Sequence, residues 1–574
     1  MATSERPDST TMPNSYSTII IGAGESGIAV GCMLKTKLGT GNFRIFDRQN
    51  GVGGAWFANR YPGVACDIPA IFYSYSFAPN YEWTTLFPPG QEIQQYLDGV
   101  CDKFDIHSNI QLNTEVSSAR WIDEDAEWEV KVTSLNPQDK TSEEEALRCK
   151  ILITCAGELV EPNIWPQHVP GIESFRGQVF HTAQWKEDVS LTGKDVVVIG
   201  AGCTAAQLVP ALASPEIAAK SITQLMRGPP WVMARPEKPP PRLMEVVSTL
   251  LRTIPGLGLF LRLCLFLYAE STWLNVGTGW FGKKRRQWFE KRLSSHLRKT
   301  VPPRYHDMLT PHFGVGCRRI IVDGGWLESL SLPNIELTDR PLVSIEPQGI
   351  VLGPRPGEER LESIDEKYHN ETIHKPADVI LLANGFETST YLHRLKVQGK
   401  NGKFLHDVWQ ANGGPGAYLS TAVHGFPNFF MVLGPNSVSG HSSAILASEN
   451  VTGYALNFLK LVLSGQARTV EIQLEAEQNY TADVQRRSLD KVWQTCHNGY
   501  IQNGGWNSSI CPFNQIHFGW MCKHPIWQHW DIAYTKAGTQ QNNLEFSRRR
   551  KTVWVIASFL AIFALLVGYY GRLH

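Results

Sequence analysis

The chain has 574 residues, 43% of them hydrophobic and 19% charged, an ordinary globular composition that is too long for one core, so two or three domains are expected. The formal net charge is zero, which leaves no electrostatic footprint for a nucleic-acid partner. A mildly negative mean hydropathy excludes a polytopic membrane protein but leaves room for one anchor.

Met1 to Asn14 is polar and rich in Ser, Thr and Pro, without the basic and apolar regions of a signal peptide. A β-branched strand, Ser17 to Ile21, then runs into Gly22-Ala-Gly24-Glu-Ser-Gly27 and an apolar helical pattern through Leu34. A second strand, Phe43-Arg-Ile-Phe-Asp47, ends in an acid. Strand, glycine turn, helix and acid together are the signature of a dinucleotide fold. Gly22 makes the turn, Gly24 admits a pyrophosphate, Gly27 lets helix pack on strand, and Asp47 accepts from ribose hydroxyls. The helix N-terminus offers N–H groups to the phosphates.

The strand Ile151-Leu-Ile-Thr154 runs to Gly157 and a Pro-rich turn, followed by Phe175-Arg-Gly-Gln-Val-Phe-His181-Thr-Ala-Gln-Trp185. Lys194-Asp-Val-Val-Val-Ile-Gly200-Ala-Gly202-Cys-Thr-Ala205 repeats the phosphate-binding unit, with Ala205 in place of the third glycine. Its second strand ends in Arg227 and not in an acid, which favours the 2′-phosphate of NADPH over NADH; the alternative is a solvated strand end. Two glycine loops make the fold class α/β, with two Rossmann-like dinucleotide-binding domains.

Pro236 to Leu267 reads as an inserted helical subdomain, whose apolar face offers a second possibility, contact with a bilayer. Lys283 to Arg298 is a strongly basic helical stretch, either a solvated face or a contact for anionic lipid heads. The strand Asp378 to Gly385 returns the chain to the first domain. The expected boundaries are 1–160 and 385–540 for the first dinucleotide domain, 161–235 and 313–384 for the second, 236–312 for the helical insertion and 541–574 for a basic linker and tail.

In the tail, Val553 to Tyr570 carries no charge and, as a helix of ~1.5 Å per residue, spans roughly 27 Å, close to a hydrocarbon core. Arg548-Arg-Arg-Lys551 precedes it, and Trp554, Tyr569 and Tyr570 stand at its ends. These features predict a single-pass C-terminal transmembrane anchor in the endoplasmic reticulum, with the body cytosolic; a buried C-terminal helix is the alternative. Asn370, Asn450, Asn479 and Asn507 fit the glycosylation pattern and would be unused in a cytosolic body. The eleven cysteines show no C-x-x-C pair and no zinc spacing, so reduced thiols and no metal site are expected.

Gly54-Ala-Trp56-Phe-Ala-Asn-Arg-Tyr61-Pro-Gly63-Val-Ala-Cys-Asp67 resembles the long fingerprint of Baeyer–Villiger monooxygenases, the class B flavoprotein monooxygenases. Phe175 to Trp185 resembles the same family's short fingerprint, F-x-G-x-x-x-H-x-x-x-W. Gly316-Cys-Arg318-Arg319 is similar to the family's Lys-Arg pair, and Phe426 to Asn436 with Gly440-His441 to its flavin-side motif. Lys186, Arg318, Asn384 and Asn498-Gly499 depart from the usual residues.

The resemblance implies FAD in the first domain and NADPH in the second. It implies insertion of one atom of O₂ beside a ketone carbonyl through a C4a-peroxyflavin, giving an ester or lactone. The partners are then O₂ and a bulky lipophilic ketone, as in fungal secondary metabolism. Gly54, Trp56, Tyr61 and Asp67 are expected beside the flavin, and Arg227 and Arg318 at the 2′-phosphate. Arg319 is the expected stabiliser of the anion and Asp67 the carboxylate that holds its fork; an ordinary interface ion pair is the alternative. His181 and Trp185 are expected to form a hinge between the nucleotide domains. Oxidation of nitrogen or sulfur is the alternative chemistry, and a non-catalytic tethered flavoprotein the alternative class.

Overall fold

The computed structural model describes residues 15–540 except 137–143, 237–238, 356–371 and the single positions 389, 497 and 503. The proposed tail anchor, the N-terminal segment and Asn370 lie outside the described residues.

The first dinucleotide unit begins with β1 (Ser15–Ile21), α1 (Glu25–Leu38) and β2 (Phe43–Phe46). It continues through α2 (Ala55–Ala58), α3 (Gly90–Lys103), β3 (Ile110–Gln111), β4 (Thr114–Ile122), β5 (Glu127–Ser134) and β6 (Glu145–Thr154). The second unit opens with β7 (Gln178–His181), β8 (Asp195–Ile199), α4 (Cys203–Leu212) and β9 (Ser221–Leu225). After β10 (Val232–Ala234) come three helices, α5 (Pro241–Thr253), α6 (Leu257–Trp273) and α7 (Trp280–Thr300). The chain rejoins the second unit with β11 (Ile321–Asp323), α8 (Trp326–Ser329) and β12 (Ile335–Thr338). A three-stranded antiparallel sheet follows, β13 (Leu342–Glu346), β14 (Gly349–Leu352) and β15 (Ile373–Pro376), and then β16 (Val379–Leu382). The last segment adds β17 (Lys396–Gln398), α9 (Leu405–Ala411), β18 (Phe429–Met431) and α10 (Ala444–Leu463) to the first unit.

Two sheets carry the glycine loops. In the first, the order is β17-β4-β5-β6-β1-β2-β3, with β18 also pairing β6. β1 is parallel to both β2 and β6, with Ile20 opposite Ile45 and Ile153. Strands buried on both faces read as continuous β-branched runs, and Ile19 and Ile20 are fully buried on opposite faces. The second sheet, β12-β9-β8-β16-β7, is parallel throughout. Each glycine loop leaves the carboxyl end of an inner strand, where ligands bind in open α/β sheets.

The two units share more than a linker. Tyr61 and Val64, from the first unit, are packed into the apolar core of the second beside Leu208 and Val209. The crossing from β6 and the return after β16 lie side by side: Asn163 N donates to Gly385 O (3.0 Å), and Asn163 Nδ2 to Asn384 O (3.0 Å).

Candidate active site

The first glycine loop explains its composition through close approach. A side chain at Gly27 would place Cβ 1.9 Å from the carbonyl oxygen of Gly22, and one at Gly22 would place it 2.6 Å from Cys155 O. Gly24 caps α1 with no side-chain hydrogen bond, so the first-turn N–H groups stay open to a ligand. Gly54 faces it: a Cβ on Gly54, at φ 57°, would lie 2.8 Å from Gly24 Cα. Asp47 is buried at the end of β2 and accepts from Ala23 N (2.7 Å) and Gln49 N (2.8 Å). Its burial pushes the carboxyl up, against these two hydrogen bonds. Asp47 therefore shapes the loop from the cavity wall. Trp56 Nε1 donates to Tyr73 OH (3.1 Å), which donates to Glu25 (2.7 Å), a carboxyl that burial pushes up to about 7.

The second loop repeats the plan with one difference. A Cβ at Gly200, at φ 133°, would sit 2.3 Å from Ala383 O, whereas at Gly202 it would meet only open space on the cavity side. Ala205 is fully buried, its methyl accommodated within the packed core of this unit. Arg227 follows β9, and the Arg318 guanidinium lies against Gly228 and over the Phe313 ring at 4.6 Å. Burial holds the Arg318 pKa below its ordinary value, and the like charge of Arg227 lowers it further. Two guanidiniums brought together at a cavity wall suit a phosphate carrying two charges.

Between the loops stand Arg319 and Asp67. Arg319 Nε donates to Asp67 Oδ2 at 2.9 Å and its terminal nitrogen to Oδ1 at 2.6 Å, a fork closed on both sides. The Asp67 carboxylate raises the Arg319 pKa above its already high value, so the cation never titrates. Both side chains remain partly accessible and line the cavity.

The expected set of reduced thiols is corrected here. Cys317 and Cys496 form a disulfide, with Cα atoms 6.3 Å apart across a separation of 179 residues. Spacing rules see neighbours along the chain; this pair meets only because the loop before Arg318 packs on the turn at Val492–Thr495. Gln207 also escaped the sequence reading. Its side chain accepts from Tyr61 OH (2.8 Å) and donates to Ala65 O (2.9 Å), so α4 of the second unit grips the fingerprint of the first. Gly63 makes that approach possible, since a Cβ there would lie 2.4 Å from Gln207 O. Tyr500, half-buried at the cavity wall within electrostatic reach of Arg319, was likewise missed, because nothing in its local sequence marks it.

His181 is buried and accepts from Ala183 N at Nδ1 (3.0 Å), so its Nε2 carries the proton donated to Gly385 O (3.0 Å). It thus ties the crossing strand to the return strand. Trp185 packs edge-on against Phe180 at 5.4 Å. Lys186 lies on the outer surface, its ammonium over Phe180 and within 3.4 Å of Gln178.

Gly22, Gly24, Asp47, Gly54, Asp67, Gly200, Gly202, Arg227, Arg318 and Arg319 line one cavity of about 2150 Å³ that runs from the first glycine loop to the second. The residues present fit a flavin dinucleotide and a nicotinamide dinucleotide laid across it. The glycine faces are clear, both helix N-termini are uncapped by side chains, and Asn384 Oδ1 and the Ser442 and Ser443 hydroxyls are buried at the wall without a partner among the described residues.

A family model described as flavin-binding monooxygenase-like matches residues 16–250. A Baeyer–Villiger monooxygenase of Pseudomonas aeruginosa is 30% identical over 497 residues, covering 86% of this chain and 87% of that protein. The solved structure of a steroid monooxygenase bound to NADP matches with a TM-score of 0.73 at 25% identity, over 91% of this chain and 100% of that one. That of OTEMO in complex with FAD and NADP matches with a TM-score of 0.74 at 22% identity, over 90% and 99%, which shows a shared fold. The match to the Pseudomonas enzyme, at 30% identity over most of both chains, settles the family: the chain belongs to the Baeyer–Villiger monooxygenases, a group of FAD-binding monooxygenases.

Proposed function

We propose that the protein uses FAD and NADPH to insert one oxygen atom of O₂ beside the carbonyl of a bulky, lipophilic ketone, giving an ester or lactone. The observation that carries this reading is the closed Arg319–Asp67 fork between the two glycine loops. Bound FAD supplies the oxygen-activating ring and NADPH the hydride. The protein's own residues do the rest.

Gly22, Gly24 and Gly27 with Gly54 clear the path of the first dinucleotide, Asp47 borders its ribose, and Trp56 and Tyr61 frame the flavin side. Gly200 and Gly202 receive the second pyrophosphate, Ala205 packs the helix behind them into the core, and Arg227 with Arg318 clasps the 2′-phosphate. Arg319 supplies a permanent positive charge where negative charge develops on oxygen during attack on the ketone. Asp67 keeps that charge aimed by filling the fork, at no cost in protonation state. The tie between Gln207, Tyr61 and Ala65 and the paired hinge strands let the domains close together, which excludes water.

The cavity's largely apolar wall supports an apolar ketone. The reading extends to a C-terminal transmembrane anchor at residues 553–570, which places the body on the cytosolic side of the endoplasmic reticulum, and to a role in secondary metabolism.

The test offers purified enzyme and NADPH a panel of cyclic and steroidal ketones beside thioethers and amines, with products identified by mass spectrometry. Ketone products heavier by one oxygen, which release an alcohol and an acid on hydrolysis, are the expected outcome. Sulfoxides or N-oxides without any ester overturn the carbonyl assignment. A yellow protein that oxidises no NADPH with any of these substrates would reinstate the non-catalytic reading.

A further inference from the structure

Helix α6 is inside out for a helix on a water-soluble body. Its exposed side consists of Leu259, Phe260, Leu263, Cys264, Leu267 and Tyr268, with Leu259 70%, Phe260 64% and Tyr268 66% accessible. Its two charges point inward instead. Arg262 donates to Ile71 O (3.0 Å) and Ser74 Oγ (3.2 Å) and lies 3.8 Å from Glu449. Glu270 pairs with His441 (2.8 Å) and accepts from Gln515 N (3.0 Å). A helix facing water buries its apolar stripe and exposes its charges; here both are reversed, and the ion pairs hold the reversed orientation.

The apolar surface continues in both directions. Leu243, Val246 and Leu250 of α5 are exposed at helical spacing, and α5 meets α6 at a bend of 112°. No single helix among the described residues is long and apolar enough to cross a membrane. Beyond Leu274, Trp280 is 76% accessible and Phe281 58%, followed by exposed Lys283 and Lys284. Arg285 donates to Asn275 Oδ1 (3.1 Å), which holds the start of α7 against the end of α6. Every exposed charged residue of α7 is basic, Glu290 being half-buried against Val315 N (2.9 Å). An uncharged face too short to span, bordered by aromatic side chains and then by lysines, has the chemistry of an interfacial element on anionic lipid.

We infer that the outer face of α6, with the aromatic and basic start of α7, is a membrane-docking surface that inserts shallowly into an anionic lipid leaflet. It acts independently of the proposed C-terminal anchor. His441, which holds α6, is close in the chain to Ser439 and Ser442 at the cavity wall, so docking brings one side of the cavity near the lipid.

Among the described residues Cys264 is the one exposed free cysteine, and it lies in the middle of this face, so the native protein carries the site for its own probe. The experiment labels the full-length chain at Cys264 with a polarity-sensitive fluorophore and subtracts a Cys264→Ser control. Labelled protein is mixed with vesicles of phosphatidylcholine and phosphatidylserine, with and without lipids carrying a quencher in the upper acyl chain. The expected result is a blue shift, a several-fold rise in emission, and quenching by the acyl-chain quencher. L263E/L267E removes all three while NADPH still reduces the flavin at the parental rate. A label that keeps its water-like spectrum and escapes quenching on vesicle-bound protein overturns the proposal, because the tail then binds alone. A label already in an apolar environment before vesicles are added also overturns it, showing the face covered by the C-terminal stretch or by a second copy of the chain.

Discussion

At the scale of single residues, charge and geometry divide the work at Arg319. The carboxylate of Asp67 takes two of its donors and raises its affinity for the proton, which leaves the remaining edge of a fixed cation towards the cavity. Arg319→Ala is expected to retain flavin reduction by NADPH, read at the flavin absorbance, while ester formation falls about 10²–10³-fold; an undiminished product yield removes Arg319 from the mechanism. Arg227→Ala is expected to raise the Michaelis constant for NADPH far more than that for NADH. Arg227 lies close enough to Arg318 to disfavour the Arg318 charge, a cost that a 2′-phosphate would repay. Steady-state kinetics with both cofactors check this, and equal effects on the two would refute it.

Secondary-structure elements decide how the two nucleotide units are joined. β7 ends in His181, whose neutral ring accepts from Ala183 N and donates to Gly385 O on the return strand. Burial lowers its pKa below 6.5. An unfolded chain therefore takes up this proton before the folded one does. The stability contributed by the neutral ring is complete above about 6.5 and declines as pH falls below that value. The difference in melting temperature between the parent and His181→Asn is accordingly expected to narrow from pH 7.5 to pH 5.5, as measured by calorimetry. A constant gap would show that His181 does not titrate at this junction. Lys186, one residue beyond the Phe175–Trp185 fingerprint, has its ammonium over Phe180 on the outer surface, so its departure from the family pattern leaves the cavity untouched.

For the whole molecule, membrane attachment is divided between two proposed regions, the apolar stretch 553–570 and the face of α6. Deletion from Arg548 onward is expected to leave a protein that binds FAD and oxidises NADPH with full activity, since every catalytic and cofactor contact named above lies within the described residues before 541. Absorbance spectra and NADPH turnover of the truncated enzyme check this. A colourless, inactive product would mean that the tail completes the fold.

The organisation legible in the sequence is that written in short-range rules. Gly22, Gly27 and Gly200 each occupy a position where a Cβ would collide with backbone, so their spacing states a local geometry directly. The β-branched runs of β1 and β8 state burial on both faces, and Arg227 at the end of β9 states the charge of the ligand edge. What the tertiary structure alone decided joins residues far apart in the chain. Gln207 grips Tyr61 and Ala65, Cys317 bonds to Cys496, and Tyr500 comes within electrostatic reach of Arg319. The reversed polarity of α6 belongs to the same class. Its sequence shows an apolar run interrupted by Arg262 and Glu270, but only the positions of Glu449 and His441 determine that these charges turn inward and leave leucine, phenylalanine and tyrosine outside. Local sequence carries backbone sterics and periodicity; the direction a helix faces is set by partners that folding brings from hundreds of residues away.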